Sequence, residues 1–244
     1  MIKIIKKIFL RKNKEDEKAK IPLSDKERQT LSKASKYTMT SLERQLALIE
    51  AINYIVERNL EGSIVECGVW RGGSSMLIAI ELSNKGSTNR DLYLCDTFQG
   101  MTEPTDKDQT QDGVYARQHL AEDPNKEGLN WCVASLGDVQ NNMKSTGYPS
   151  ERIHYIEGPV EETIPSQIPD GPIALLRLDT DWYESTKHEL EQLFHRVVEG
   201  GIIIIDDYGH WRGAQQATDE FLSKQNKRYF LHRIDYTGRL IIKA

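Results

Sequence analysis

Two runs in the second half of the chain, "LLRLDTDWYEST" (175–186) and "GGIIIIDDYGHW" (200–211), are dominated by Leu and Ile and then stop abruptly on aspartates. Near-continuous apolar segments of this length read as strands covered on both faces, which restricts the fold to an α/β design around a parallel sheet. "SIVECGV", "DLYLCDTF" and "IHYIEG" are earlier runs of the same type. Helical periodicities alternate with them, in "TSLERQLALIEAINYIVERN", "GGSSMLIAIELSNKG", "SLGDVQNNMKSTG", "ESTKHELEQLFHRVV" and "AQQATDEFLSKQN". At the end, "RYFLHRID" and "GRLIIKA" read as a hairpin. The expected architecture is therefore a doubly wound, mostly parallel seven-stranded sheet with an antiparallel C-terminal hairpin at one edge. Ligands of such sheets sit beyond the carboxyl ends of the strands. Asp179, Asp181, Asp206 and Asp207 all lie at such ends. Capping of the next helix explains one Asp per strand; a doubled set needs another reason.

A length of 244 residues suits one α/β domain, here 37–244, preceded by a basic extension and polar linker over 1–36. The stretch from about 100 to 135 is too long for a plain connection and is expected to be a lid or insertion. A net charge of −5 gives no reason to expect a nucleic-acid partner. Cys67, Cys95 and Cys132 lack metal-ligand spacing and are odd in number, which indicates a reducing, cytoplasmic compartment. No apolar run reaches the roughly 20 residues needed to cross a bilayer. "MIKIIKKIFLRKNKEDEKAK" places Ile2, Ile4, Ile5, Ile8 and Phe9 opposite Lys3, Lys6, Lys7 and Arg11 on a helical wheel. It is read as a solvated tail, a helix docking on a partner subunit, or a weak membrane-surface contact through residues 1–12. The long helix over 40–59 is a candidate for joining subunits in a homo-oligomer.

"VECGVWRGGSS" follows the first strand and opens a helix, so its glycines permit a tight turn and its N–H groups face a ligand. No Gly-Lys-Ser/Thr follows, which argues against a nucleotide triphosphate. Glu66 within the motif disfavours a pyrophosphate and suits a ligand with an ammonium or sulfonium charge. Asp96, at the end of the second strand, suits paired hydrogen bonds to ribose hydroxyls, in NAD and S-adenosylmethionine alike. Asp179, Asp206 and Asp207 would repel one another unless a cation joins them, and a hard, oxygen-bound ion such as Mg²⁺ fits that set. His210 lies close by in sequence.

"VECGVWRGGSS", "CDTFQGM", "IALLRLDTDWYESTKHEL" and "GGIIIIDDYGHWRGAQQATDEF" together resemble the macrocin O-methyltransferase family, over roughly residues 38–244. That resemblance implies a class I, Rossmann-like enzyme that methylates sugar hydroxyls of natural products or glycans, using S-adenosylmethionine and Mg²⁺. It further implies that Glu66, Gly68 and Ser74 line the methionine end of the cofactor and that Asp96 holds the ribose. Asp138 and Gly158, in the "EGPVEE" turn, would lie near the adenine. Asp179, Asp206 and Asp207 would hold the metal, with Asp179 as base and His210 as the reserve candidate. The place where catechol-type enzymes carry a lysine base reads "DTDWY" here, without one. The competing expectations are a non-catalytic binding protein on the same fold and a nicotinamide-dependent oxidoreductase.

Overall fold

The computed structural model describes residues 21–126 and 129–244. Its sheet has seven strands in the order β3-β2-β1-β4-β5-β7-β6. They are β1 Ser63–Cys67, β2 Leu92–Asp96, β3 Ile153–Glu157, β4 Ile173–Leu178, β5 Val197–Ile205, β6 His232–Arg233 and β7 Arg239–Ile242. The first five pair in parallel, and β7 runs antiparallel to both β5 and β6. The expected doubly wound architecture and its antiparallel hairpin are thus present. The order reverses between β1 and β4, so the crevice of the fold opens above their carboxyl ends.

The helices follow from local chemistry. α1 (Asp25–Ala34) begins with a capping box in which Ser24 and Glu27 satisfy each other's backbone N–H groups. It lies in the polar stretch read as a linker, and it buries Leu31 and Ala34. A polar helix needs few apolar anchors when it lies on another element, so composition alone hid it. α2 (Leu42–Glu57) is capped by Ser41 and buries Leu48, Ile49, Ile52 and Ile55 within the chain's own core. α3 (Gly73–Asn84) follows β1 and is buried along nearly its whole length.

Short α4 (Ala116–Ala121) lies within the 100–126 segment, and α5 (Leu136–Lys144) follows, capped by Ser135. α6 (Val160–Thr163) is a single turn after β3. α7 (Tyr183–Leu193) and α8 (Arg212–Ser223) follow β4 and β5. The helical pattern of "HRVV" does not continue to Val198: α7 ends earlier, and β-branched Val197 pairs with Ile173 as the start of β5. Among the described residues no helix is long and apolar enough to cross a membrane. The expectation for residues 1–12 lies outside the described residues.

Candidate active site

A cavity of about 840 Å³ opens over the carboxyl ends of the parallel strands. Each strand delivers one part of its wall in sheet order: Gly158 after β3, Asp96 from β2, Gly68 after β1, Asp179 after β4 and Asp207 after β5. Gly68 makes this convergence feasible. It has φ +82°, and a Cβ there would lie 2.0 Å from the carbonyl oxygen of Asp179. Only glycine lets the turn after β1 approach the end of β4 so closely. The backbone seals the junction, with the Asp179 N–H donating to Cys67 O at 2.8 Å.

The acidic cluster sits at the β4 and β5 ends. Among the described residues, Asp179, Asp181 and Asp207 offer carboxylate oxygens that all lie within 4.8 Å of one another. Asp181 reaches this position from a left-handed backbone conformation, φ +70°, which a non-glycine residue adopts only when its surroundings hold it there. One Asp207 oxygen, Oδ2, is buried with no hydrogen-bond partner. Burial pushes all three carboxyls above their ordinary range, Asp181 to about 7. Burial is the leading cause in each case; Arg177 opposes it at Asp179. Three oxygen donors, one of them orphaned, are what a hard cation needs. The residues therefore fit the ion that the sequence implied.

Asp206 stands apart from this trio. It is 2% exposed, with one oxygen bound by Arg177 at 2.7 Å and the other by Arg44. Sequence reasoning placed Asp206 in the metal set and left out both arginines. Guanidinium groups stabilise a buried carboxylate, and Asp206 has two of them while it lines the cavity beside Asp207. Arg177 is itself buried in mid-strand, where it also binds Glu66 at 2.7 Å and Asp179 at 2.8 Å. Burial works against its charge, yet Asp179, Asp206 and Glu66 outweigh that and hold it well above its ordinary value. The signal was present in the sequence as an arginine inside an apolar run. Arg44 projects from α2, lines the cavity and also binds Asp235 at 3.1 Å.

The remaining expected residues divide. Gly68, Ser74, Asp96 and Gly158 line the cavity. Asp96 accepts N–H bonds from Val69 at 2.7 Å, Trp70 at 3.0 Å and Phe98 at 2.7 Å, and so shapes the glycine-rich turn. Glu66 is not on the wall. It is 1% exposed, and its oxygens are taken by Arg177 and Ser75. Asp138 is also off the wall, bound to Arg71 at 2.9 Å on the surface of α5. His210 does line the cavity, edge-on to Trp211 at 4.7 Å, and burial lowers its pKa so that the neutral ring prevails. Trp182 and Trp211 stand beside it, 5.1 Å apart, and form the apolar wall beyond the carboxylates.

The comparisons with known proteins meet this geometry. The family described as macrocin-O-methyltransferase (TylF) matches residues 2–243. The chain belongs to the macrocin O-methyltransferase family. The match begins well before residue 38, where the recognisable motifs start, so it takes in the basic extension as well. A relative from Streptomyces olivaceus, the 8-demethyl-8-(2,3-dimethoxy-alpha-L-rhamnosyl)-tetracenomycin-C 4'-O-methyltransferase, is 33% identical over 70% of this chain and 62% of its own length. Demethyldecarbamoylnovobiocin O-methyltransferase from Streptomyces niveus is 29% identical over 84% of this chain and 75% of its own. The chain thus spans less than two thirds of the first relative's length. Among solved structures, the O-methyltransferase NovP superposes with a TM-score of 0.74 at 28% identity, over 85% of this chain and 82% of that one. The calicheamicin methyltransferase CalS11, at 19% identity and a TM-score of 0.64, shares the fold.

Proposed function

We propose that the protein transfers a methyl group from S-adenosylmethionine to a sugar hydroxyl of a natural product or glycan, with a divalent cation, Mg²⁺, at Asp179, Asp181 and Asp207. The observation that carries this reading is the trio itself: three carboxylates within 4.8 Å, one with an unpartnered buried oxygen, on the floor of a ligand-sized cavity. Relatives named for methylating a rhamnosyl group and mycinamicin III support the acceptor class.

The division of the cavity supports the chemistry. The glycine-rich turn after β1 and the Asp96 and Gly158 turns supply backbone and polar groups on one side, suited to the donor. Trp182, His210 and Trp211 stand on the other, where aromatic faces suit the apolar face of a sugar ring. A bound cation would supply electrostatic stabilisation to a hydroxyl that is losing its proton. Asp179, held in place by Arg177, takes that proton, while the hydroxyl oxygen bonds to the methyl carbon and the carbon–sulfur bond breaks. The products are a methyl ether and S-adenosylhomocysteine. His210, neutral near pH 7, is the second candidate base. The protein's part is alignment and exclusion of water.

The test is transfer of labelled methyl from S-adenosylmethionine to a panel of glycosides. Activity is expected in the wild type, to be lost on chelation and restored by Mg²⁺. Asp179→Asn should lower kcat by roughly 100-fold or more while S-adenosylhomocysteine still binds. Full activity in the presence of chelator would refute the metal; wild-type kcat in Asp179→Asn would pass the base role to His210.

A further inference from the structure

The helix that follows the acidic turn lacks a cap of its own. Trp182 occupies the N-cap position of α7 and has no side-chain oxygen to offer. The missing acceptor comes from 75 residues away: Asp108 Oδ1 accepts the Tyr183 N–H at 2.8 Å. Its other oxygen accepts the Thr105 N–H at 2.7 Å and the Thr105 hydroxyl at 2.8 Å. Asp108 is 0% exposed, and neither it nor Tyr183 lines the cavity.

Three further contacts run along the same seam. The Trp182 indole donates to Thr102 O at 3.0 Å, the Arg212 N–H donates to Gln109 O at 2.7 Å, and Thr110 pairs with Trp211 as an isolated bridge. Trp131, Trp182 and Trp211 pack together with Ala116 and Leu120 beside them. The 100–126 segment is therefore fastened to the starts of both helices that follow the acidic strands. Gly213 makes the fastening feasible, because a Cβ there would lie 2.1 Å from Asp108 Oδ1.

We propose that Asp108 is a positioning residue: by capping α7 from the 100–126 segment, it fixes the 179–182 turn that carries Asp179 and Asp181 and holds that segment over the acceptor side of the cavity. The cap acts through geometry. Tyr183 is two residues from Asp181, whose left-handed backbone persists only while both ends of the turn are held. The kinetic part of the proposal rests on the methyl-transfer reading; the docking part does not.

The test uses Asp108→Ala, the milder Asp108→Asn and Gly213→Ala on the full chain. Gly213→Ala introduces the better helix former and displaces the carboxylate without removing it. With neither metal nor acceptor present, each variant is expected to red-shift tryptophan emission and to hasten trypsin cleavage within 100–126, while the melt stays cooperative. Acceptor kcat/KM should fall roughly tenfold or more, with the Kd for S-adenosylhomocysteine within about threefold of wild type. The Asp108→Ala/Gly213→Ala double variant should be no worse than the poorer single one, since both break the same contact. Unshifted fluorescence with wild-type kcat/KM would overturn the proposal, as would lost turnover with unshifted fluorescence or additive losses in the double variant. A wild type with no glycoside methylation would sink the functional reading alone, because emission and proteolysis still decide the docking.

Discussion

Arg177 is the side chain on which the site's electrostatics turn. It is 2% exposed and is shared by Glu66, Asp179 and Asp206. A neutral residue of similar length would leave Glu66 without its cation and leave Asp206 with Arg44 alone. Arg177→Met is therefore expected to cost about 3–5 kcal/mol, the usual penalty for stranding a buried charge, as read from urea unfolding. A loss below about 1 kcal/mol would show that the carboxylates are already neutral and need no partner. In the same geometry Asp206 is bound by two arginines, whereas Asp207 Oδ2 beside it has no hydrogen-bond partner. Asp179 and Asp207 were legible as a pair from their strand ends. Asp181 was legible as one of the acids at these strand ends but not as a metal ligand, because the reach of its side chain depends on one left-handed backbone angle that no spacing rule announces.

Among the elements, the glycine-rich turn between β1 and α3 has the narrowest tolerance. Gly68→Ala would set a methyl group against the Asp179 carbonyl at 2.0 Å and force an L residue to φ +82°. The expected outcome is a loss of about 1–3 kcal/mol, with weakened S-adenosylhomocysteine binding by calorimetry. An alanine variant that binds like the wild type would mean that β1 and β4 need not approach so closely. The strands were the most readable part of the chain, since "SIVEC", "LYLCD" and "IALLRL" are apolar runs that only a covered sheet accommodates. α2 and α5 were readable through their helical periodicity, and Ser41 and Ser135 cap them. α1 was not, since ten mostly polar residues bury only Thr30, Leu31 and Ala34, and its position is set by packing. The role of the 100–126 segment was out of reach for the same reason. Asp108 caps a helix 75 residues away, and only the folded chain brings the two together.

At the scale of the whole molecule, the sheet sorts the cavity wall by strand order, with Gly68, Asp96 and Gly158 at the ends of β1 to β3 and the acidic turns on β4 and β5. If the basic segment 1–20 makes the membrane-surface contact, full-length protein pellets with anionic vesicles while Δ1–20 protein stays in solution; equal pelleting would end that reading and leave the solvated tail or subunit docking. The fold alone hosts many chemistries, so the claim that matters concerns the ion. Calorimetric titration of Mg²⁺ into metal-stripped protein tests it most directly, run on the wild type beside Asp207→Asn, Asp181→Asn and Asp206→Asn. One ion per chain is expected in the wild type, with no measurable binding in Asp207→Asn, affinity weakened roughly tenfold or more in Asp181→Asn, and binding retained in Asp206→Asn. Absence of heat in the wild type, or undiminished binding in Asp207→Asn, would contradict a cation at this cluster.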